Sequence, residues 1–410
     1  MKYVLVIGDG MADNPLLELD GETPLKYANT PAMDSLASAG VLGNVLTVPK
    51  GMQAGSDTAI LSIFGCEPST FYGGRAALEA AASGIKLEPG DIAYRCNMVT
   101  LESGDIPFED KKILSHSAGA IAGDVADTLI TDLFNTPVFK KTADEAGISI
   151  FPGNSFRHIA VQRSFARQRN VAVPQNVALP QLVLTPPHDH IGETLGQHLP
   201  RGSKNAQTLA NLMRMANELL ENGKTPANGI WFWAHGVATE LPNFEKKYGK
   251  SGSVISAVPL CQGIGVLMGL EKIIVEGATG ELHTNYEGKV KAALESLKTN
   301  DFTTIHIEAP DECTHNGDLK GKLQAIEWID SRIVAPVKNN LESQNIDYKL
   351  LIISDHKTLL STKGHCGDPV PYVIYDSSED KKTDFQYCEK DAEKGLFIET
   401  GTKLLEMLFK

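Results

Sequence analysis

The sequence has few cysteines, a deficit of positive charge and no long apolar run. Its six cysteines are scattered through 410 residues without a C-x-x-C pair, which argues against a disulfide framework or a thiolate zinc site and favours a reducing compartment. A net charge of −13 disfavours nucleic acid as a partner. No stretch reaches the roughly 20 apolar residues that span a bilayer, and the apolar N-terminal run is too short for a signal peptide. We therefore expect a cytoplasmic protein with no nucleic-acid or membrane partner.

The composition is that of a folded globular chain. Hydrophobic residues make up 42% and charged residues 22% of the sequence. A chain of 410 residues exceeds the length at which one hydrophobic core keeps growing. Two domains are therefore expected.

Apolar runs near both termini predict a parallel sheet. Residues 3–7, 303–307 and 349–353 have the composition of strands buried on both faces. Spaced apolar residues predict a helix over 318–340, so the C-terminal region contains a βαβ unit and indicates a doubly wound α/β core. Thr30 and Pro31 predict the capped start of another helix, which Gly40 ends.

The middle of the chain has a different pattern. Residues 92–101 and 156–163 predict strands with polar positions, and residues 204–222 predict an amphipathic helix. Residues 168–202, rich in proline and histidine, predict a long functional loop. The simplest organisation is a discontinuous core, 1–79 and 256–410, with a second domain inserted at 80–255.

Acids and histidines follow each of the apolar runs. Because the carboxyl ends of strands in an open α/β sheet form the ligand crevice, these distant groups can converge. The set consists of three aspartates and three histidines: Asp9, Asp311, His315, Asp355, His356 and His365. Carboxylate and imidazole ligands suit Mn²⁺, Zn²⁺ or Mg²⁺, and six ligands are more than one ion usually needs. The sequence therefore predicts two divalent metal ions.

Ser56 is the candidate nucleophile. It follows small residues in Ala54-Gly55-Ser56, and the apolar run 59–64 predicts a helix that begins at this serine. A helix N-terminus suits an anionic phosphate, and metal coordination lowers the pKa of a serine hydroxyl. This arrangement indicates phosphoryl transfer through Ser56.

The sequence resembles the archaeal-type cofactor-independent phosphoglycerate mutases, a branch of the alkaline-phosphatase superfamily. The matching motifs occur in the expected order along nearly the whole chain: GDGMAD at 8–13, TPAMDSLASAG at 30–40, AGSDTA at 54–59, YGGRAALEA at 72–80, FRHIAV at 156–161, PPHD at 186–189, GIG at 263–265, GATG at 277–280, DECTHNGD at 311–318, SDH at 354–356 and GHCGDPVP at 364–371. The resemblance implies an alkaline-phosphatase-like, doubly wound, mostly parallel sheet core with an inserted smaller α+β domain.

The resemblance also implies a reaction and a ligand set. One ion would be bound by Asp311, His315 and His365, and a second by Asp9, Asp355 and His356 with Ser56 in contact. A phosphoserine would form, and the trapped glycerate would take the phosphoryl group back on its other hydroxyl. This interconverts 3-phosphoglycerate and 2-phosphoglycerate without 2,3-bisphosphoglycerate. The expected metal is Mn²⁺, with Zn²⁺, Co²⁺ or Mg²⁺ as alternatives.

The inserted domain is expected to close as a lid and to contact the substrate, because a mutase must exclude water while the acceptor reorients. The candidate substrate-binding residues are Arg157, His158, His188 and Asp189, followed by the weaker candidates Arg75, Arg95, Arg201 and Lys246. Neither the residues nor the resemblance indicates an oligomeric state.

Two alternatives remain open from the sequence. Residues 233–236 read Trp-Ala-His-Gly where the resembled family tends to have Trp-Gly-x-Gly, and the chain is also similar to a subgroup proposed to act as homoserine kinase. A homoserine-kinase-like transferase or a phosphatase on the same core is the first alternative. The absence of a G-x-x-x-x-G-K-[ST] motif favours the mutase over the kinase. A catalytically inactive scaffold or metal-binding module is the second alternative, although the ligand set and the nucleophile are both present.

Overall fold

A computed structural model describes residues 1–164, 181–221, 223–379 and 381–410 of the chain. These residues divide into two compact units. The first unit is Met1–Tyr72 together with Glu240–Lys410, and the second is Gly73–Thr239.

The strands, in chain order, are β1 (Lys2–Gly8), β2 (Val41–Val45), β3 (Ile92–Leu101), β4 (Ile113–Ser115), β5 (Ile148–Phe151), β6 (Arg157–Gln162), β7 (Gly229–Val237), β8 (Gly252–Ile255), β9 (Glu271–Ile273), β10 (Phe302–Ile307), β11 (Tyr348–Ile353), β12 (Lys357–Leu359), β13 (Gly364–Cys366) and β14 (Val370–Asp376). The α-helices span Pro24–Tyr27, Pro31–Ala39, Ser56–Ile63, Pro68–Phe71, Arg75–Ala82, Gly123–Asn135, Pro137–Glu145, Lys204–Leu220, Phe244–Tyr248, Pro259–Leu267, Tyr286–Ser296, Ala309–His315, Leu319–Ile329, Ala335–Ser343, Glu389–Ala392 and Leu404–Phe409.

The first unit is built on a seven-stranded sheet in the order β2-β14-β11-β1-β10-β8-β9. Strands β11, β1, β10, β8 and β9 run parallel, whereas β14 is antiparallel to both β11 and β2. The side chains of residues 3–7 are all buried, as expected for a central strand of a parallel sheet that is covered on both faces. The prediction of a mostly parallel α/β core is confirmed.

The helix expected after Thr30 is present as Pro31–Ala39, with Gly40 at its end. Thr30 occupies the expected N-cap position, but its side chain makes no capping hydrogen bond. The carboxylate of Asp330 accepts the hydrogen bonds instead, from the backbone N–H groups of Ala32 at 3.3 Å and Met33 at 2.7 Å. A carboxylate at this end of a helix also interacts favourably with the helix dipole.

The single helix expected over 318–340 is three helical segments. Leu319–Ile329 is followed by a π-helical turn at Asp330–Val334 and then by Ala335–Ser343. Pro336 lies in the first turn of the last segment, where its missing N–H group leaves a backbone carbonyl without its usual donor. The wider π-helical turn comes directly before the segment that contains Pro336. The apolar face of the helix continues through this turn.

The second unit has an antiparallel sheet of its own, in the order β4-β3-β6-β5, with β7 paired to β3. The alanine-rich helix Arg75–Ala82 packs against β3 and β7. Close packing here requires glycine in the strand, since a Cβ atom on Gly236 would lie 2.7 Å from the backbone nitrogen of Ala77. Strand β3, strand β6 and the helix Lys204–Leu220 confirm the elements expected near these positions.

The units divide at Tyr72/Gly73 and Thr239/Glu240, whereas the sequence analysis placed the domain limits at 79/80 and 255/256. The difference has a packing reason. The helix Arg75–Ala82 lies against the sheet of the second unit, and β8 pairs with β10 in the sheet of the first.

The expected functional loop 168–202 lies partly outside the described residues. Its described part contains two 3-10 turns, Pro187–His190 and Leu195–Gln197. Among the helices of the described residues, none has both the length and the apolar composition needed to cross a lipid bilayer.

Candidate metal centre

The carboxyl ends of neighbouring strands bring the predicted acids of the first unit together. Strand β1 lies between β10 and β11, with Gly8 beside Ile307 and Ile7 beside Ile353. Asp9 therefore follows β1 at the same sheet edge at which Asp355 follows β11. The helix Ala309–His315 begins just beyond β10. Such an edge of an open α/β sheet is where ligands bind.

One group of candidate ligands consists of Asp311, His315 and His365, whose ligand atoms lie within 4.8 Å of one another. Nε2 of His315 lies 3.1 Å from Oδ2 of Asp311 and 2.9 Å from Nε2 of His365. Nδ1 of His315 lies 2.8 Å from the carbonyl oxygen of Lys363. Because Nδ1–H donates to that carbonyl, the lone pair of Nε2 is left to face a cation.

A second group consists of Asp9, Asp311 and His356, so Asp311 belongs to both groups. Nε2 of His356 lies 3.5 Å from Oδ1 of Asp9 and 3.3 Å from Oδ2 of Asp355. Nδ1 of His356 lies 3.1 Å from Oγ1 of Thr358, and that hydroxyl donates to Asp311 at 2.6 Å. Thr358 thus orients His356 with Nε2 towards the carboxylates.

Ser56 is the first residue of the helix Ser56–Ile63, so the helix start expected from the sequence is confirmed. Its hydroxyl oxygen lies 3.2 Å from Oδ2 of Asp9 and 3.2 Å from Nε2 of His356. The N–H groups and the dipole of a helix N-terminus favour an anion. The geometry therefore combines the candidate nucleophile, the partially positive end of a helix and an acidic group of candidate ligands.

Two buried carboxylate oxygens support a metal at this position. Oδ1 of Asp9 and Oδ2 of Asp355 are buried and have no hydrogen-bond partner among the described residues. A buried acceptor without a partner is costly unless a cation satisfies it. Both oxygens lie 3.3–3.5 Å from Nε2 of His356, close to the roughly 3.4 Å expected between ligand atoms of a tetrahedral ion with bonds of about 2.1 Å. The six predicted side chains therefore fit divalent metal ions.

The electrostatics of the protein groups also favour a cation. Burial raises the pKa of Asp9 well above its usual value, and the negative charges of Asp355 and Asp311 raise it further. Burial alone would raise the pKa of Asp311 as well, but hydrogen bonds from His315 and His365 hold it well below its usual range. The hydrogen bond to Asp311 raises the pKa of His315 to about 9. A divalent ion would relieve this crowding of carboxylates and displace the proton of His315.

His306 was not selected from the sequence, yet it contacts a candidate ligand. Its Nε2 lies 3.0 Å from Oδ2 of Asp9, and its Nδ1 lies 3.0 Å from the hydroxyl oxygen of Ser256. Burial lowers the pKa of His306 to about 3, so the ring is neutral. Nε2–H therefore donates to Asp9 while Nδ1 accepts from Ser256. A histidine inside an otherwise apolar strand was the available signal.

A buried ion pair behind Thr358 was also missed. Nζ of Lys322 lies 2.8 Å from Oδ2 of Asp13 and donates to the carbonyl oxygen of Thr358 at 2.7 Å. The same carboxylate oxygen accepts the N–H of Leu360 at 3.1 Å. Asp13 belongs to the GDGMAD motif at 8–13, but this motif alone does not identify Lys322 as the partner of Asp13.

Arg157 is the candidate substrate residue of the second unit with the most distinctive surroundings. Its guanidinium carbon lies 5.5 Å from the ring centre of Trp233 and 5.2 Å from that of Phe156. Its Nε has no hydrogen-bond partner among the described residues. Burial, and then the charge of Arg95, lower its pKa to about 10, so Arg157 remains a cation at neutral pH. The ring of His188 lies 5.2 Å from that of Trp233.

The other two candidates have different surroundings. His158 is fully buried, and its Nδ1 accepts the backbone N–H of Gly153 at 3.2 Å. Asp189 is exposed, with a carboxylate oxygen 3.5 Å from Nε2 of His188. Substrate contacts of these residues stay predictions.

The weaker candidates fall into two classes. Arg75 and Arg95 both form ion pairs with Glu79. Nε of Arg95 donates to a carboxylate oxygen of Glu79 at 2.7 Å, which keeps this buried carboxylate ionised. Arg201 and Lys246 are exposed.

The tetrapeptide at 233–236 contains a backbone irregularity. Ala234 has a positive φ of 46°, and the pairing of β7 with β3 shifts register between Ala93 and Arg95. A positive φ disfavours alanine relative to glycine, so the departure from Trp-Gly-x-Gly has a conformational cost at this bulge.

The Metalloenzyme superfamily matches residues 1–408 of the chain. The chain is 41% identical to the 2,3-bisphosphoglycerate-independent phosphoglycerate mutase of Methanosarcina acetivorans over the full length of both proteins. It is 40% identical to the probable 2,3-bisphosphoglycerate-independent phosphoglycerate mutase of Geobacter sulfurreducens, over 100% of this chain and 99% of that protein.

Two solved structures share the fold. A protein from Pyrococcus horikoshii superposes with a TM-score of 0.77 at 28% identity, over 99% of this chain and 96% of that one. A cofactor-independent phosphoglycerate mutase from Thermoplasma acidophilum has a TM-score of 0.58 at 21% identity, over 100% of this chain and 99% of that one.

Proposed function

The chain belongs to the Metalloenzyme superfamily and, within it, to the 2,3-bisphosphoglycerate-independent phosphoglycerate mutases, and on that premise we propose that it interconverts 3-phosphoglycerate and 2-phosphoglycerate. The phosphoryl group passes through a phosphoserine at Ser56, and no 2,3-bisphosphoglycerate is needed. The observation that carries this proposal is the position of the Ser56 hydroxyl, 3.2 Å from both Asp9 and His356 at a helix N-terminus.

In this proposal two divalent ions are held by the ligand groups of the first unit. Asp311, His315 and His365 would hold one ion, and Asp9, Asp355 and His356 would hold the other beside Ser56, with Asp311 also within the ligand group of Asp9 and His356. Ions at these positions would lower the pKa of the Ser56 hydroxyl and offset the charge of the transferring phosphoryl group. Mn²⁺ suits the mixture of carboxylate and imidazole, with Zn²⁺, Co²⁺ or Mg²⁺ as alternatives.

The chain's own residues position the nucleophile. Asp9 accepts the hydrogen bond of the Ser56 hydroxyl and thereby directs its oxygen. Nε2–H of His306 donates to the same carboxylate oxygen of Asp9, Oδ2. The positive end of the dipole of the helix Ser56–Ile63 would favour the incoming phosphate and the phosphoserine formed from it.

A cation is also required for the remaining anionic group of the substrate, and Arg157 supports that role. Its guanidinium is stacked near Trp233 and Phe156, and its Nε is not committed to a hydrogen bond among the described residues. Arginine binds carboxylate and phosphate groups in a two-point geometry. Arg157 therefore recognises an anionic group of the phosphoglycerate, and His188, beside the same tryptophan, assists it.

The deciding experiment is a coupled assay. Metal-free protein is restored with Mn²⁺ and given 3-phosphoglycerate, with enolase reporting 2-phosphoglycerate and free phosphate measured in parallel. We expect 2-phosphoglycerate without phosphate release, without a nucleotide and without added bisphosphoglycerate. Release of phosphate alone would establish a phosphatase, and nucleotide-dependent phosphorylation of homoserine without mutase activity would establish the kinase.

A further inference from the structure

Thr358 contacts candidate ligands of both groups in the first unit. Its hydroxyl oxygen, Oγ1, lies 2.6 Å from Oδ1 of Asp311 and 3.1 Å from Nδ1 of His356. Asp311 belongs to both ligand groups, and His356 belongs to one of them. Thr358 is fully buried, so its hydroxyl makes these contacts away from bulk water, where hydrogen bonds are stronger.

The two contacts of this hydroxyl have a fixed direction. A threonine hydroxyl has one proton, and Thr358 donates it to the carboxylate of Asp311. The second contact therefore requires Nδ1–H of His356 to donate to Oγ1. The lone pair of His356 is then on Nε2, which lies 3.5 Å from Oδ1 of Asp9 and 3.3 Å from Oδ2 of Asp355. One hydroxyl thus fixes the orientation of a carboxylate and the tautomer of an imidazole.

The backbone of Thr358 is held from several sides. Its N–H donates to the carbonyl oxygen of Ala12 at 3.0 Å, and its carbonyl oxygen accepts from Nζ of Lys322 at 2.7 Å. Lys322 is itself buried and paired with Asp13 at 2.8 Å. In the antiparallel pair of β12 and β13, Thr358 lies opposite His365, a further candidate ligand. The position of the hydroxyl is therefore set by the surrounding fold.

Gly10 packs directly against the contact between Thr358 and Asp311. A Cβ atom at position 10 would lie 2.5 Å from Oγ1 of Thr358 and 2.8 Å from Oδ1 of Asp311. The φ angle of Gly10 is +62°, which also favours glycine at this position. The N–H of Gly10 donates to Oδ1 of Asp355 at 3.1 Å. The loop after β1 therefore confines the hydroxyl and reaches another candidate ligand.

We propose that Thr358 is a positioning residue shared by both metal sites, which holds Asp311 and His356 in the orientation that divalent ions require. This inference rests on the proposed metal centre and not on the identity of the phosphorylated substrate. Hydrogen-bond partners outside the ligand set typically contribute about 10–100-fold to metal affinity. Because Asp311 belongs to both ligand groups, loss of this one hydroxyl weakens the binding of both ions.

The test is a titration of metal-free protein with Mn²⁺, in which electron paramagnetic resonance measures the free ion. Thr358→Val keeps the shape of the side chain without the hydroxyl and should weaken the binding of both ions by about 10–100-fold. Thr358→Ala, which also lacks the hydroxyl, replaces it if the valine variant does not fold. Thr358→Ser retains the hydroxyl and should retain most of the affinity.

A matched control removes a different buried hydroxyl of the first unit. Oγ1 of Thr303 lies 2.8 Å from Oγ of Ser253, and Thr303 is fully buried near the start of β10. Thr303→Val should bind Mn²⁺ with the affinity of wild type, even if it unfolds more readily. A change in Mn²⁺ affinity that is specific to position 358 is therefore not a general effect of losing a buried hydroxyl.

Two ligand variants show whether both ions depend on Thr358. His315→Gln removes a ligand from one group, and His356→Gln removes a ligand from the other. Adding Thr358→Val should weaken binding of the remaining ion in each. An effect in only one of them, wild-type affinity in Thr358→Val, equal losses in Thr358→Val and Thr358→Ser, or no Mn²⁺ binding by wild type would overturn the proposal. Product analysis with 3-phosphoglycerate tests the mutase reaction separately, so the titrations decide the role of Thr358 whether or not the protein is a mutase.

Discussion

The hydroxyl oxygen of Ser56 lies 3.2 Å from Nε2 of His356, although the two residues are 300 positions apart in the chain. The contact joins the start of the helix Ser56–Ile63 to the loop after β11. It places a serine next to an imidazole nitrogen whose other side is fixed by Thr358 at 3.1 Å. The predictions below follow from this contact and from the groups around it.

Replacing the nucleophile tests the covalent route. Ser56→Ala should reduce mutase turnover by at least about 1,000-fold, because it removes the hydroxyl that accepts the phosphoryl group in the proposed route. Bound Mn²⁺ should remain nearly unchanged, since the carboxylate and imidazole ligands are intact. Steady-state rates and metal analysis provide the measurement, with the exposed Ser69→Ala as control. Substantial activity in Ser56→Ala would exclude a phosphoserine at this residue.

The shared position of Asp311 predicts unequal effects of two ligand substitutions. Asp311 belongs to both candidate ligand groups, whereas His315 belongs to one. Asp311→Asn should therefore weaken binding of both Mn²⁺ ions, and His315→Gln should weaken only one. Metal content per chain after gel filtration distinguishes the two results. Identical losses in the two variants would contradict the assignment of Asp311 to both groups.

His306 should act as a positioning residue for Asp9. Loss of its hydrogen bond at 3.0 Å should weaken Mn²⁺ affinity by about 10–100-fold in His306→Ala. Excess Mn²⁺ should restore most of the turnover, because Asp9 itself is still present. His306→Gln, which retains a donor, should lose less affinity. A purely structural role would instead lower turnover equally at every Mn²⁺ concentration.

The buried pair of Lys322 and Asp13 should be strongly coupled. Lys322→Met should lower the free energy of unfolding of the first unit by about 3–5 kcal/mol, since it leaves a buried carboxylate without its cation. Adding Asp13→Asn should recover part of this loss by removing the uncompensated charge. Urea unfolding of wild type, both single variants and the double variant measures the coupling. If the double variant were less stable than Lys322→Met by the full single-site cost of Asp13→Asn, the two residues would be independent.

His158 predicts an acid-dependent loss of stability in the second unit. Burial lowers its pKa from 6.5 to about 4, so between these values the unfolded chain binds a proton that the folded chain does not. Stability is therefore complete above pH 6.5 and falls as the pH decreases towards 4, by about 3 kcal/mol in total. Thermal unfolding across this range should show a steeper decline for wild type than for His158→Gln. Parallel pH profiles would show that His158 titrates normally in the folded protein.

The sequence by itself determined the core sheet, and it identified the candidate ligands and the candidate nucleophile. Residues 3–7 and 349–353 are apolar at nearly every position, because strands in a parallel sheet are buried on both faces, whereas residues 303–307 include polar side chains and are nevertheless buried. Acids that directly follow such strands must meet at one edge of the sheet, whatever the separation in sequence. This rule depends only on a strand and on the residue that follows it, so it can be applied from the sequence alone.

Tertiary structure alone decided which groups face each other. Asp311 joins both ligand groups, His306 meets Asp9, and Asp330 caps a helix almost 300 residues away. Each of these contacts depends on strand register and on the direction of a side chain from a neighbouring element, and neither quantity is encoded in the residue type or in local spacing.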